Sequence, residues 1–179
     1  MIDGNQCTVI WHVDDLKISH VDPKVVTWFL NKFQGRYGNI MPVTVTRGKV
    51  HNYLGMIIGY RTAGQVKFNM YQYVDDVLEN VPSVYKKGIG FATPAPDNLY
   101  EVRQEGDEDL ILLSKEETEE YHTTTAKLLY LSKRARSDIL TSIAFHCTRV
   151  RKPDIDDQKK LSRTIRHLEY TKHLPMILS

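Results

Sequence analysis

The spacing of apolar and polar positions changes period along the chain and divides it into elements. "CTVIWH" (Cys7–His12) is rich in β-branched and aromatic residues, and "LKISH" (Leu16–His20) alternates apolar with polar. Two short strands are predicted there, around Val13-Asp14-Asp15. Aspartate tolerates bridge and left-handed backbone, so Asp-Asp suits the turn between them. Asp22-Pro23 then predicts a helix start, with Asp22 as N-cap and Pro23 in the first turn. Val25, Val26, Phe29, Leu30 and Phe33 form its apolar stripe, and Gly35 or Gly38 ends it.

A β-rich stretch follows. "VTVT" (Val43–Thr46) alternates, Arg47-Gly48 turns, and Asn52–Tyr60 reads as a strand in which Gly55 marks a bulge or a close backbone approach. Arg61–Gln65 forms a hairpin turn into "VKFNM", and Tyr71–Asn80 has helical spacing, with Tyr73, Val74, Val77 and Leu78 inward. Between Pro82 and Leu113 the pattern breaks. That segment holds three of the seven prolines and an acidic cluster, which predicts a linker or connection. Three helices are predicted after it. Ser114 and Glu117 make a capping box for the first, with Tyr121, Leu128 and Leu131 inward. Ser137 starts the second, with Ile139, Ile143 and Cys147 on one stripe. Pro153-Asp154 precedes the third, which carries Leu161, Ile165 and Leu168. The expected organisation is residues 1–81, a connection over 82–113, and a helical region over 114–179.

Composition narrows the classes. A chain of 179 residues, 41% hydrophobic and 26% charged, has the make-up of a globular protein with a proper core. No apolar run approaches the roughly 20 residues of a membrane span, and "MIDGNQC" lacks the features of a signal peptide. An intracellular, cytoplasmic setting without membrane partners is expected. Cys7 and Cys147 form no CxxC pair and are expected to be reduced, and the seven histidines show no HxxxH or HExxH spacing for zinc. The net charge of +2 hides an asymmetry. Lys127–Lys172 contains 12 Lys and Arg against 5 Asp and Glu, whereas the rest of the chain is net acidic. An acidic front beside a basic helical back suits a metal site next to a phosphate-binding surface; solvated basic helix faces are the plain alternative.

Val-Asp-Asp occurs twice, in "WHVDDL" (Trp11–Leu16) and in "YQYVDDVL" (Tyr71–Leu78). On a helix of ~3.6 residues per turn the second pair lies on the side away from Val74 and Val77, where solvated acids need no further explanation. The first pair falls at a predicted hairpin tip, where rigid strands can aim carboxylates into a cleft. Like charges so close repel, a cost that a divalent cation removes. Magnesium favours carboxylate oxygens with water and phosphates, and two ions about 4 Å apart can clamp a phosphoryl transfer. An ordinary polar hairpin turn is the other reading of the same residues.

"WHVDDLKISH", the helix "VDPKVVTWFLNKF" and "YLGMIIGY" together resemble the second half of a reverse-transcriptase palm, most closely that of copia-type retrotransposon polymerases. "FNMYQYVDDVLENV", "TPAP" and the block "AKLLYLSKRARSDILTSIAFHCTRVRKPDIDDQKKLSRTIRHLEYTK" are similar to the segments that follow in that family, in the same order. The resemblance covers nearly the whole chain as a set, although no single motif suffices. It implies an α+β fold: a partial palm, an antiparallel sheet with packed helices, followed by a helical thumb or connection region.

The activity implied is RNA-directed DNA polymerisation in the intact parent, with template–primer and dNTPs as partners and Mg2+ (or Mn2+) as cofactor, within a virus-like particle of the element. Asp14 and Asp15 would be catalytic metal ligands. Tyr53, Leu54, Gly55 and Met56 would form a primer-grip-like turn, and Arg134, Arg136, Arg149 and Lys152 would contact nucleic-acid phosphates. His12 stands where the family has tyrosine, and Ser137 replaces the proline of Arg-Pro-Asp-Ile. A further metal-binding aspartate and the fingers are expected to lie upstream, and no RNase H domain is expected within the chain. The isolated chain is accordingly expected to be inactive, with an open sheet edge and an exposed apolar face. A catalytically inactive remnant that binds nucleic acid is the alternative; an unrelated metal-dependent hydrolase lacks the further acid or histidine cluster it would need.

Overall fold

Strand-forming residues on both sides of a two-residue turn build the first element pair. In the computed structural model, which describes residues 1–179, β1 (Thr8–His12) pairs antiparallel with β2 (Asp15–Ser19). Helix α1 (Pro23–Tyr37) begins where Asp22 caps it, the carboxylate accepting from Lys24 N at 2.8 Å, and ends at Gly38. Strand β3 (Val50–Tyr53) follows. The chain then forms β4 (Met56–Gly59), β5 (Val66–Asn69), α2 (Tyr71–Asn80), α3 (Lys115–Ser132), α4 (Leu140–Arg149), α5 (Ile155–Tyr170) and β6 (Met176–Leu178). The protein is α+β, with five helices and two small antiparallel sheets. No helix is long and apolar enough to cross a membrane.

Residues 1–54 and 55–179 form two compact units. The first has a thin core. Val25 and Tyr53 are its only buried large side chains, whereas Val9, Ile10, Trp11, Val13 and Trp28 are exposed. Its sheet has two strands, so β1 and β2 each keep one unpaired edge.

The second unit holds the main core. Val74 and Val77 of α2 join Leu128 and Leu131 of α3, Ile143 of α4, and Leu161, Ile165 and Leu168 of α5. Ser114 and Glu117 form the expected capping box of α3, at 3.2 and 2.9 Å. Asp154 and Asp157 form a second one for α5, at 2.7 and 3.1 Å. Burial raises the Asp157 carboxyl above its ordinary value, against hydrogen bonds from the Asp154 backbone and Arg149. Strand β6, which the sequence did not suggest, pairs with β5 from Val66–Leu178 to Phe68–Met176, and β5 pairs with β4.

Three expectations differ from the structure. Val43–Thr46 alternates in sequence but enters no ladder, because alternation makes a strand only where a neighbour satisfies its backbone. Asn52–Tyr60 is not one strand: Leu54 and Gly55 take φ of +51° and +74°, separating β3 from β4. The 82–113 segment is not a free linker. Tyr85 and Leu99 are buried, and α5 satisfies the segment's carbonyls through its own side chains. Lys160 Nζ donates to Glu101 O at 2.5 Å, Ser162 Oγ to Tyr85 O at 3.0 Å and Thr164 Oγ1 to Pro94 O at 2.9 Å. The compact division therefore falls at 54/55 rather than at 81/82, and α2 belongs with the helices.

Candidate metal and nucleic-acid site

The register that sets His12 opposite Asp15 leaves Val13 and Asp14 as a two-residue loop. Strand twist favours such loops when the first turn residue has positive φ. Here that residue is Val13, at φ +53°, where a β-branched side chain costs of order 1–3 kcal/mol. Turn chemistry pointed to the aspartates for this conformation; the valine takes it. Trp11 fixes the turn, its indole Nε1 donating to Val13 O at 2.6 Å. Asp14 in the loop and Asp15 at the head of β2 are both exposed. Pairing puts Asp15 on the face of His12 and Lys17, while Trp11 and Leu16 occupy the other.

A cavity of about 510 Å3 within the first unit is lined by Asp14, Asp15, Lys17, Arg47, His51 and Tyr53, among others. Arg47 is steadied by Thr27, its Nη2 donating to Oγ1 at 2.9 Å. Tyr53 is buried, and its hydroxyl has no hydrogen-bond partner. Asp14, Asp15, Lys17 and Arg47 line one cavity, which therefore carries both carboxylate oxygens of the kind a hard cation takes and positive charge of the kind a phosphate takes. The donor set is nonetheless incomplete: nowhere do three His, Cys, Asp or Glu side chains converge to hold a metal ion. Two carboxylates hold Mg2+ or Mn2+ only when phosphates, water or further ligands complete the shell.

The primer-grip-like residues form a tight turn, with Tyr53 closing β3 and Met56 opening β4. A Cβ on Gly55 would stand 3.6 Å from Met70 Cε and 3.7 Å from Tyr130 Oη, ordinary contact distances, so the positive φ and not the space requires glycine. Of these four residues, Tyr53 alone lines the cavity of the aspartate pair.

The four basic residues do not share one role. Arg136 is 2% exposed and bound on every side. Its Nε and Nη2 grip Asp138 at 2.9 and 2.7 Å, and Nη1 and Nη2 donate to Thr171 O and Oγ1 at 3.1 and 2.6 Å. It therefore ties the Arg-Ser-Asp-Ile turn to the end of α5 and presents no face to a phosphate, which corrects its assignment as a nucleic-acid contact. Arg149 is held by Asp157 at 2.9 Å. Arg134 stacks on Tyr130, its Cζ 3.6 Å from the ring centroid, and Lys152 is exposed. In "YQYVDDVL", Val74 and Val77 face the core, Asp76 is exposed and Asp75 pairs with Lys172 at 3.4 Å, a helix-surface role.

Compared with protein-family models, curated proteins and solved structures, the chain matches none.

Proposed function

We propose that this chain is a segment of an RNA-directed DNA polymerase of the copia type, with Asp14 and Asp15 as two of the carboxylates that bind the catalytic metal ions. One observation carries the reading: adjacent aspartates sit at the tip of a two-residue antiparallel hairpin whose backbone is held in a costly conformation at Val13. Strain of this kind persists where surrounding structure fixes it, and it is concentrated at functional sites. Lys17 and Arg47 in the same cavity suit the polyphosphate of a nucleotide. Two carboxylates are an incomplete donor set, so no catalytic step is assigned to the chain by itself.

The direct test is a titration with Mn2+, read by paramagnetic quenching of Trp11 fluorescence. Weak saturable quenching is expected, and it should vanish in Asp14→Asn/Asp15→Asn. Equal quenching in that variant would sink the metal assignment. In a parallel assay the chain with Mg2+ and dNTPs should extend no primer.

The second reading is a catalytically inactive module that binds nucleic acid. The observation in its favour is the basic surface of the second unit, where Lys133, Arg151, Lys152 and Lys159 are exposed.

A further inference from the structure

The 86–93 segment lies close against α5 at two glycines, Gly88 and Gly90. A Cβ on Gly88, whose φ is +113°, would collide with the Arg166 guanidinium, and one on Gly90 would stand 2.7 Å from Tyr170 Cβ. At this approach Phe91 meets two guanidiniums, with Arg163 Cζ 4.2 Å and Arg166 Cζ 4.5 Å from its ring centroid. Cation–π contact orients an arginine head while leaving its charge uncompensated. No ion pair of the molecule includes either arginine. Arg163 makes one side-chain hydrogen bond, from Nη2 to Thr93 Oγ1 at 2.8 Å. The Nε atoms of both are buried and unpartnered.

The surroundings extend the same charge. Lys159 lies one turn before Arg163 on α5, and Lys87 immediately precedes Gly88; both are exposed. Glu169 is the exposed acid nearest along the helix, and Asp156 is already paired with Lys160 at 2.7 Å. Lys159, Arg163 and Arg166 thus run along roughly 10 Å of helix. A backbone with a phosphate every ~3.4 Å along each strand of a duplex can engage all three.

We propose that Lys87, Lys159, Arg163 and Arg166 form a seat for the phosphodiester backbone of a nucleic acid. The pre-set guanidiniums favour bidentate phosphate contacts over a diffuse cloud of positive charge. Ile89 is the one large exposed aliphatic side chain on the segment, too little apolar area for insertion into a lipid surface.

The test is fluorescence anisotropy of a labelled RNA–DNA duplex with the full chain, from about 50 to 300 mM salt. Arg163→Gln/Arg166→Gln should weaken binding about tenfold or more, and make the log–log salt slope shallower by about 2, two phosphate contacts at ~0.9 each. Lys87→Gln/Lys159→Gln, at exposed positions, should give a similar change of slope without altering the far-ultraviolet circular dichroism. Unchanged affinity and slope in both variants would overturn the proposal. So would absence of duplex binding at the lowest salt, or equally tight binding to phosphatidylserine vesicles lost in the same variants. The proposal does not depend on the metal reading: Asp14→Asn/Asp15→Asn should bind duplex normally. A blank Mn2+ titration with intact duplex binding therefore defeats the metal site alone, and the reverse defeats this surface alone.

Discussion

Replacing Asp138 by asparagine tests whether Arg136 is a structural tie or a free cation. Asp138 accepts both Arg136 Nε and Nη2, and His167 Nε2 lies 2.9 Å from its Oδ2. Asparagine keeps the shape and one acceptor but removes the charge. The Arg136 guanidinium, in a side chain only 2% exposed, is then buried without its counter-ion. Asp138 keeps 29% of its side chain exposed, so the loss falls between the about 3–5 kcal/mol of a fully buried pair and the about 0–1 kcal/mol of an exposed one, at about 2–3 kcal/mol. With a urea dependence of about 2 kcal/mol per molar, the unfolding midpoint should fall by about 1–1.5 M. The transition is followed by circular dichroism at 222 nm, which reports the helices.

The pair also fixes the sign of an acid effect. Burial alone would push the Asp138 carboxyl upward, but hydrogen bonds from His167 and Arg136 outweigh it and hold the group well below the usual carboxylate range. A group depressed on folding contributes stability above its unfolded value and loses it as pH falls through the acid range. Asp138→Asn should therefore flatten the stability profile below about pH 4. Adding Arg136→Met removes the stranded charge and should recover about 2 kcal/mol relative to the sum of the single changes. A loss under about 1 kcal/mol for Asp138→Asn would refute the argument and restore Arg136 as a candidate phosphate contact.

Three further outcomes follow from other parts of the fold. Burial pushes the His146 imidazole down to about 3, with Lys160 adding to the effect, and Tyr121 Oη lies 2.6 Å from its Nδ1. The unfolded chain binds a proton that the folded chain refuses, so stability should fall by up to about 1.4 kcal/mol per pH unit from about pH 6.5 towards about pH 3. A His146→Gln variant that keeps the same slope, measured by urea unfolding at several pH values, would exclude His146 as its source. Val13→Gly removes strain of about 1–3 kcal/mol at a glycine entropy cost of about 0.5–1, a net gain for the first unit. Trp11 and Trp28 both lie in that unit, so tryptophan fluorescence reads its melting; a lower midpoint would contradict the strain argument. Gly88→Ala puts a Cβ against Arg166 at a positive φ and should cost about 1–3 kcal/mol by thermal circular dichroism, while an unchanged midpoint would mean that the segment is not held on α5.

What could be read from the chain depended on whether the determining interaction was local. The caps at Asp22 and Ser114 involve residues two or three positions apart, and the inward residues of α2, α3 and α5 follow from one helix's own period. Those features stood in the letters. Strand β6 did not, because Met176–Leu178 becomes a strand only by pairing with β5, more than a hundred residues earlier. The 82–113 segment looked like a linker because its backbone partners, Lys160, Ser162 and Thr164, lie on a helix far downstream.

Charge was the least legible property. Arg136 and Arg163 are both basic letters in the same +7 stretch, yet one is locked to Asp138 and the other rests on Phe91 with no acid beside it. Counting charges therefore located the basic region and misassigned a residue within it. The two Val-Asp-Asp copies make the same point for the candidate metal site. On α2 the helical period directs the valines inward and leaves Asp75 to pair with Lys172. At the hairpin the pairing of His12 with Asp15 forces Val13 into the left-handed region and leaves both aspartates exposed at the tip. Identical triplets thus acquire opposite prospects from the hydrogen bonds on either side, and it is the strained copy that the Mn2+ titration should single out.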